Sequence, residues 1–218
     1  MDTQLPDVWV EKWLSAERFG TYRRMAGGDR ARALALHEWN AKLNAALLHD
    51  FAHLEVGLRN LYDRALDGVV VPGDRHWTNP KSATRLFPHI DGPDVKTHRD
   101  LSTARRLAGG PTAPAGKVMA ELTFGFWVLL TSSRHDRLIW QPHLKHVFPS
   151  GTTRSLVHAG LDELRKVRNR VAHHEPVRTE VANTVVRRMH HYCRYVSPEL
   201  AAYVRETSTV ESLVRSRP

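Results

Sequence analysis

Three residues, Arg168, Asn169 and His173, combine types and spacing that suit chemistry. They lie in the segment Leu164-Arg165-Lys166-Val167-Arg168-Asn169-Arg170-Val171-Ala172-His173-His174-Glu175-Pro176. On a helical wheel at about 100° per residue, Val157, Leu161, Leu164 and Val171 form one narrow apolar stripe. Arg168 falls on that stripe, where a hydrophobe is expected. A guanidinium there must find an anion, a polar partner or an interface. A second stripe is wholly polar and carries His158, Asp162, Arg165, Asn169 and His173. Asn169 and His173 are i,i+4, so their side chains can touch. Pro176 pushes Glu175 out of the helical region, which leaves His173 in the last turn. The negative end of the helix dipole there favours a cation. Imidazole exchanges protons near neutral pH, which is what acid–base catalysis needs. Arg168 and His173, however, are five residues apart, roughly 140° around an ideal helix. Either the last turn is distorted or a second chain completes the site, so the spacing hints at a dimer. Taken singly, an Arg on an apolar stripe can be a buried ion-pair member, and a His at a helix end can be a cap.

The elements that must position these groups read as helices throughout. A strongly amphipathic helix runs from Thr152 to about His174, and another covers Arg178–Tyr195, with short helical pieces after it. Upstream, residues 7–27 suggest one or two short helices ending at Gly27-Gly28. Leu36, Trp39, Leu43, Leu47, Leu54, Leu58, Leu61 and Ala65 continue a helical pattern from Asp29 to about Leu66, with a break near His49-Asp50 left open. Residues 68–94, with Pro72, Pro80, Pro88 and Pro93, read as an irregular insertion. A short helix is expected over Val95–Ala108, a breaker at Gly109–Pro114, a buried helix over Lys117–Thr131 and another near Arg134–Val147. No stretch alternates at period two. The reading is an all-α, helical-bundle-like single domain over residues 1–218, with its core in about 30–195.

Composition narrows the function. The 32 Lys+Arg against 23 Asp+Glu give a net charge of +9, and 14 His add latent charge. That balance favours a polyanionic partner, nucleic acid first and a membrane surface second. The single cysteine, Cys193, excludes an internal disulfide and a multi-Cys zinc site, and reads as buried. The acidic start Met1–Asp7 lacks the basic residues of a signal peptide, and the apolar run Val118–Leu130 is shorter than the ~20 residues of a spanning helix. A cytoplasmic protein that does not enter a membrane is expected. His143-xx-His146, His190-His191 and His49-xxx-His53 lack the further ligands of a metal site, so no metal is expected. No phosphate-binding or dinucleotide glycine motif is present, so no cofactor is expected either. Phe124, Phe126, Trp127 and Leu130 read as core rather than as base-stacking groups.

The string Arg168-Asn169-xxx-His173 resembles the Arg-x(4–6)-His motif of HEPN ribonucleases. The wider Arg-Asn-Arg-Val-Ala-His-His-Glu-Pro resembles the Abi-like (abortive infection) branch of that superfamily. Trp39-Asn40-xx-Leu43 with Leu54-Glu55-Val56-Gly57-Leu58-Arg59-Asn60 is similar to the family's N-terminal helix signature, apart from Gly57 where Ala is frequent. Gly116-Lys-Val-xx-Glu121-Leu-Thr-Phe124-Gly125-Phe126-Trp127, then Trp140 and Phe148, is similar to its central segment. The likeness spans roughly residues 30–195. It implies a HEPN-like bundle with additional N-terminal and central helices. It also implies metal-independent RNA cleavage to a 2′,3′-cyclic phosphate and a 5′-hydroxyl. His173 would then be the acid–base group, Arg168 the phosphate stabiliser, and Asn169 the residue that orients His173 or the phosphate. Glu55, Arg59 and Asn60 would lie beside the catalytic helix and hold it, although Glu55 and Arg59 are also i,i+4 and can pair with each other. Asp162 and His174 would be supporting. The implied setting is anti-phage defence by an RNA-cleaving toxin, a homodimer restrained by an antitoxin protein or RNA. The other expectation is a non-catalytic RNA-binding module on the same fold, bound to a regulatory RNA or antitoxin.

Overall fold

A 37-residue helix, Arg30–Leu66, is the spine of the computed structural model, which describes residues 7–218. Of the acidic start Met1–Asp7, residues 1–6 lie outside the described residues. The α-helices are α1 (Asp7–Leu14), α2 (Ala16–Met25), α3 (Arg30–Leu66), α4 (Pro80–Leu86), α5 (Val95–Leu107), α6 (Ala115–Ala120), α7 (Phe124–Leu129), α8 (Arg154–Ala172), α9 (Thr179–Val196), α10 (Pro198–Thr207) and α11 (Val210–Arg215). Among the described residues the fold is all-α, with no strand. No helix among them is long and apolar enough to cross a membrane.

The spine starts cleanly because the Asp29 carboxylate accepts from the Arg32 N–H, satisfying a donor that the first turn leaves free. It does not break at His49-Asp50. The buried Asp50 carboxylate accepts from Ser208 Oγ (2.6 Å), in the turn between α10 and α11, and lies 3.1 Å from His49 Nδ1. A polar side chain with partners is no obstacle to a buried helix. Leu36, Leu43, Leu47, Leu54, Leu58, Leu61 and Leu66 of α3 are buried in one continuous core with Phe124, Phe126 and Trp127 of α7, Leu161 and Leu164 of α8, and Met189 and Cys193 of α9. Burial pushes the Cys193 thiol up to about 12, so it stays a packed hydrophobe rather than a nucleophile.

Three expectations need correction. The segment 117–131 is not one helix: α6 and α7 are separated by Glu121–Thr123, and Thr123 is extended at φ −70°, ψ 160°. The buried positions Val118, Met119, Leu122, Phe126 and Leu130 keep a helical spacing straight across the bend, so the pattern does not mark it. Residues 134–147 form a chain of 3₁₀ and π turns rather than a helix. The insertion 68–94 is not wholly irregular, because it contains α4, which opens with Pro80 in its first turn, where a missing N–H costs nothing.

The catalytic-candidate helix α8 packs against α3, α7 and α9. The α8–α9 crossing depends on Gly160. A Cβ there would lie 2.2 Å from Tyr192 Oη, whose hydroxyl donates to the Val157 carbonyl at 3.0 Å. The Tyr192 hydroxyl occupies the space that a side chain at position 160 would take.

Candidate functional site

Arg168 is answered by an anion from the spine. Its Nε donates to Glu55 Oε1 at 2.8 Å, and both side chains are only partly exposed. The pair joins α8 to α3 across 113 positions of sequence. Glu55 therefore serves Arg168 rather than Arg59. Arg59 is half-buried, and its Nε is enclosed without a hydrogen-bond partner among the described residues; Asn60 is exposed.

Beside this pair, α5, α7 and α8 enclose an open basin of about 470 Å³. Arg165, Arg168, Asn169, His158 and Lys96 supply most of its polar lining, with Asp162 the acid among them. Asp162 is engaged from two sides: Arg165 donates through Nε (2.9 Å) and Nη2 (2.7 Å), and Lys166 Nζ lies 2.9 Å from its other oxygen. Burial alone would raise the Asp162 carboxyl, but the hydrogen bonds and charges of Lys166 and Arg165 outweigh it and hold it below its ordinary value. Asp162 thus stays an anion that fixes two cations at the basin edge. His158 is tied to Thr131, with Nδ1 3.0 Å from Oγ1, while Thr131 donates to the Val128 carbonyl.

His173 and His174 stand just past the last turn of the same helix. Helix α8 ends at Ala172, and His173 is its C-cap, its N–H bonded to the Asn169 carbonyl at 3.0 Å. His174 is left-handed at φ +56°, one of two non-glycine residues with positive φ among the described residues. Its N–H reaches the Val171 carbonyl (3.0 Å), and the Glu175 N–H reaches the Arg170 carbonyl (3.0 Å). This is a Schellman ending, a position that usually selects glycine, so a histidine there stores strain. The last turn is thus distorted, as the wheel allowed, but it does not bring the two motif residues into contact. No hydrogen bond or ion pair among the described residues links the exposed His173 ring to Arg168, and the Asn169 side chain bonds to neither. Asn169 meets His173 through its main-chain carbonyl only.

The turn is gripped from behind by residues the sequence reading gave no role. Asn40 Nδ2 (3.4 Å) and Asn44 Nδ2 (3.2 Å), both on α3, donate to the Glu175 carbonyl. Asn40 Oδ1 accepts from the Val177 N–H at 2.9 Å, and Arg18 of α2 donates to the His173 carbonyl at 3.4 Å. Both asparagines are buried, at 3% and 1% exposure, on the apolar side of α3. Two amides at i,i+4 between Leu36, Trp39, Leu43 and Leu47 were the available signal, because buried amides are kept where they hold something. Arg18 had no signal in sequence.

Among the described residues no group of three or more His, Cys, Asp or Glu is placed to share a metal ion. What the arrangement offers is a fixed guanidinium at the lip of a basic basin and, past it, a solvent-facing imidazole on a clamped turn. Set against known protein families, curated proteins and solved structures, the chain matches none of them.

Proposed function

We propose that this chain is a metal-independent endoribonuclease of the HEPN type, an RNA-cleaving toxin of the abortive-infection kind. The observation that carries the reading is the Glu55–Arg168 pair. It places a guanidinium at the edge of a basic basin, five positions before an exposed, backbone-clamped histidine. The ribose 2′-hydroxyl attacks the adjacent phosphorus, the bond from phosphorus to the 5′-oxygen breaks, and the products are a 2′,3′-cyclic phosphate and a 5′-hydroxyl. Arg168 bonds the phosphate oxygens as charge grows on them, which is where a preorganised donor helps most. His173 exchanges the proton, at the 2′-hydroxyl or at the departing 5′-oxygen. Asn169, exposed between them, contacts the phosphate or the incoming ribose.

One imidazole cannot take and give a proton at the same instant. A homodimer that apposes two α8 ends supplies a second one and also bridges the gap between Arg168 and His173. We place the protein in the cytoplasm, with RNA as substrate and an antitoxin protein or RNA as its restraint. The second reading, a non-catalytic RNA-binding module, is favoured by one observation: Arg168 is bonded to Glu55 and, among the described residues, to neither Asn169 nor His173.

The test uses purified protein with structured and single-stranded RNAs in excess chelator, beside His173→Ala. Cleavage by the parent alone, with cyclic-phosphate ends, supports the proposal. RNA binding with no cleavage supports the binding module. Equal cleavage by both proteins removes His173 from the site.

A further inference from the structure

A second cavity, of about 260 Å³, opens behind the motif turn, between α2 and the start of α3. Trp13, Arg18, Tyr22, His37, Asn44 and His174 line it. At its floor sits Asn44, 1% exposed. The amide orientation is fixed because Nδ2 must face the Glu175 carbonyl, 3.2 Å away. Its Oδ1 is consequently a buried acceptor with no donor among the described residues. A buried acceptor left unpaired is costly, and in a polar cavity it marks where a ligand donor belongs.

The rim adds the rest of a recognition site. Trp13 is 56% exposed and Trp9 49% exposed, an unusual pair of open indoles, with ring centres 5.5 Å apart along α1. Arg18 stands between this aromatic strip and the motif, its Nη2 on the His173 carbonyl. Open aromatic faces beside a cation are how proteins hold unpaired nucleotides: bases stack, and the guanidinium meets the phosphate.

From this we infer that the cavity is a nucleotide subsite for single-stranded RNA. One base enters beside Trp13 and directs an exocyclic amine at Asn44 Oδ1, while Arg18 holds the phosphate that leads to His173. An amine projects beyond the ring and reaches the cavity floor, so bases that carry one, adenine among them, fit better than uracil. The inference rests on the ribonuclease reading for its orientation toward His173. Its binding chemistry does not depend on cleavage.

The test separates the two. Non-cleavable 2′-O-methyl hexamers of adenine, uracil and N6,N6-dimethyladenine are titrated into the full chain, followed by anisotropy and by tryptophan fluorescence. The adenine hexamer is expected to bind severalfold tighter than the other two and to quench tryptophan. Trp13→Ala, at an exposed position, is expected to weaken adenine binding about tenfold, the loss of one stacked base. Arg18→Gln is expected to flatten the salt dependence. Circular dichroism establishes that both variants stay folded. Equal affinity for all three hexamers overturns the amine contact, and unchanged affinity in Trp13→Ala overturns the subsite. If Trp13→Ala instead turns a dimer into a monomer by sedimentation while RNA affinity holds, the strip is a subunit contact and the inference fails. Selective binding by a protein that cleaves nothing upholds the subsite and sinks the ribonuclease.

Discussion

The two ends of the α8 motif are held in opposite ways. Arg168 is fixed through its side chain, by a 2.8 Å ion pair to the spine. His173 has a free side chain and a fixed backbone: its carbonyl is bonded by Arg18, the Glu175 carbonyl is held by Asn40 and Asn44, and the Val177 N–H is held by Asn40. The difference suits the two tasks. A charge that stabilises a transition state works best when it does not have to reorganise. A group that moves a proton must rotate toward its partner, so fixing its Cα while leaving its ring free is the sensible compromise.

The largest effect that would break this comparison is on the side-chain-held end. Arg168→Lys keeps the charge but loses the planar fork that can bond Glu55 and a phosphate together. We expect kcat/KM for RNA cleavage to fall about 100- to 1,000-fold, the range for losing one preorganised donor. Urea unfolding should show a much smaller change, because the pair is partly exposed. Full activity in the lysine variant would mean that Arg168 only ties α8 to α3.

Asn40→Ala attacks the backbone-held end. It removes the acceptor of the Val177 N–H and one donor to the Glu175 carbonyl, all in a buried setting. We expect a stability loss of about 1–3 kcal/mol from a urea titration. Cleavage should drop beyond the fraction unfolded, since the turn bearing His173 loses its grip. If cleavage tracks folded protein only, the clamp is scaffolding.

Acid gives a smaller contrast between an exposed and a buried histidine. His135 is 2% exposed, and burial lowers its pKa against the opposing pull of its bond to the Leu129 carbonyl and of Asp94. Below about pH 6.5 the unfolded chain takes up a proton there that the folded chain resists. The unfolded state then binds more protons, so stability falls as pH drops below that value. The urea midpoint at pH 5.5 should lie below that at pH 7.5, and His135→Gln should narrow the gap. An unchanged gap would assign the acid response to the other histidines that burial lowers, among them His37 and His190.

The same contrast explains what could be read in advance. The stripe of Val157, Leu161, Leu164 and Val171 located α8, because half-burial leaves a 3.6-residue period. Arg168 on that stripe demanded an anion, but a wheel carries no information about a residue 113 positions away, so Glu55 came from resemblance and not from geometry. Glu55 and Arg59 are neighbours on one helix by spacing, but Glu55 bonds Arg168 instead. The bend at Glu121–Thr123 is invisible in sequence because Met119, Leu122 and Phe126, buried on either side of it, keep a helical spacing across it. The backbone clamp was hidden for a different reason: it is made to carbonyls and N–H groups, which every residue has, so only the misplaced polarity of Asn40 and Asn44 betrays it.

The smallest expected effect concerns the strained residue itself. A left-handed conformation costs a residue with a Cβ about 1–2 kcal/mol. Glycine escapes that cost but gives back part of it through greater freedom in the unfolded chain. His174→Gly should therefore stabilise the fold by about 0.5–1 kcal/mol, a shift measurable by urea titration. Cleavage separates two meanings of the strain. If the glycine variant is more stable and equally active, the Schellman ending alone sets the direction of His173, and the histidine at φ +56° is there for its side chain in the cavity behind it. If it is more stable and slower with every RNA tested, the strain holds the turn in the one conformation from which His173 reaches the phosphate. A variant no more stable than the parent would mean that contacts of the His174 ring already offset the strain, and the binding of adenine hexamers to that variant would then locate them.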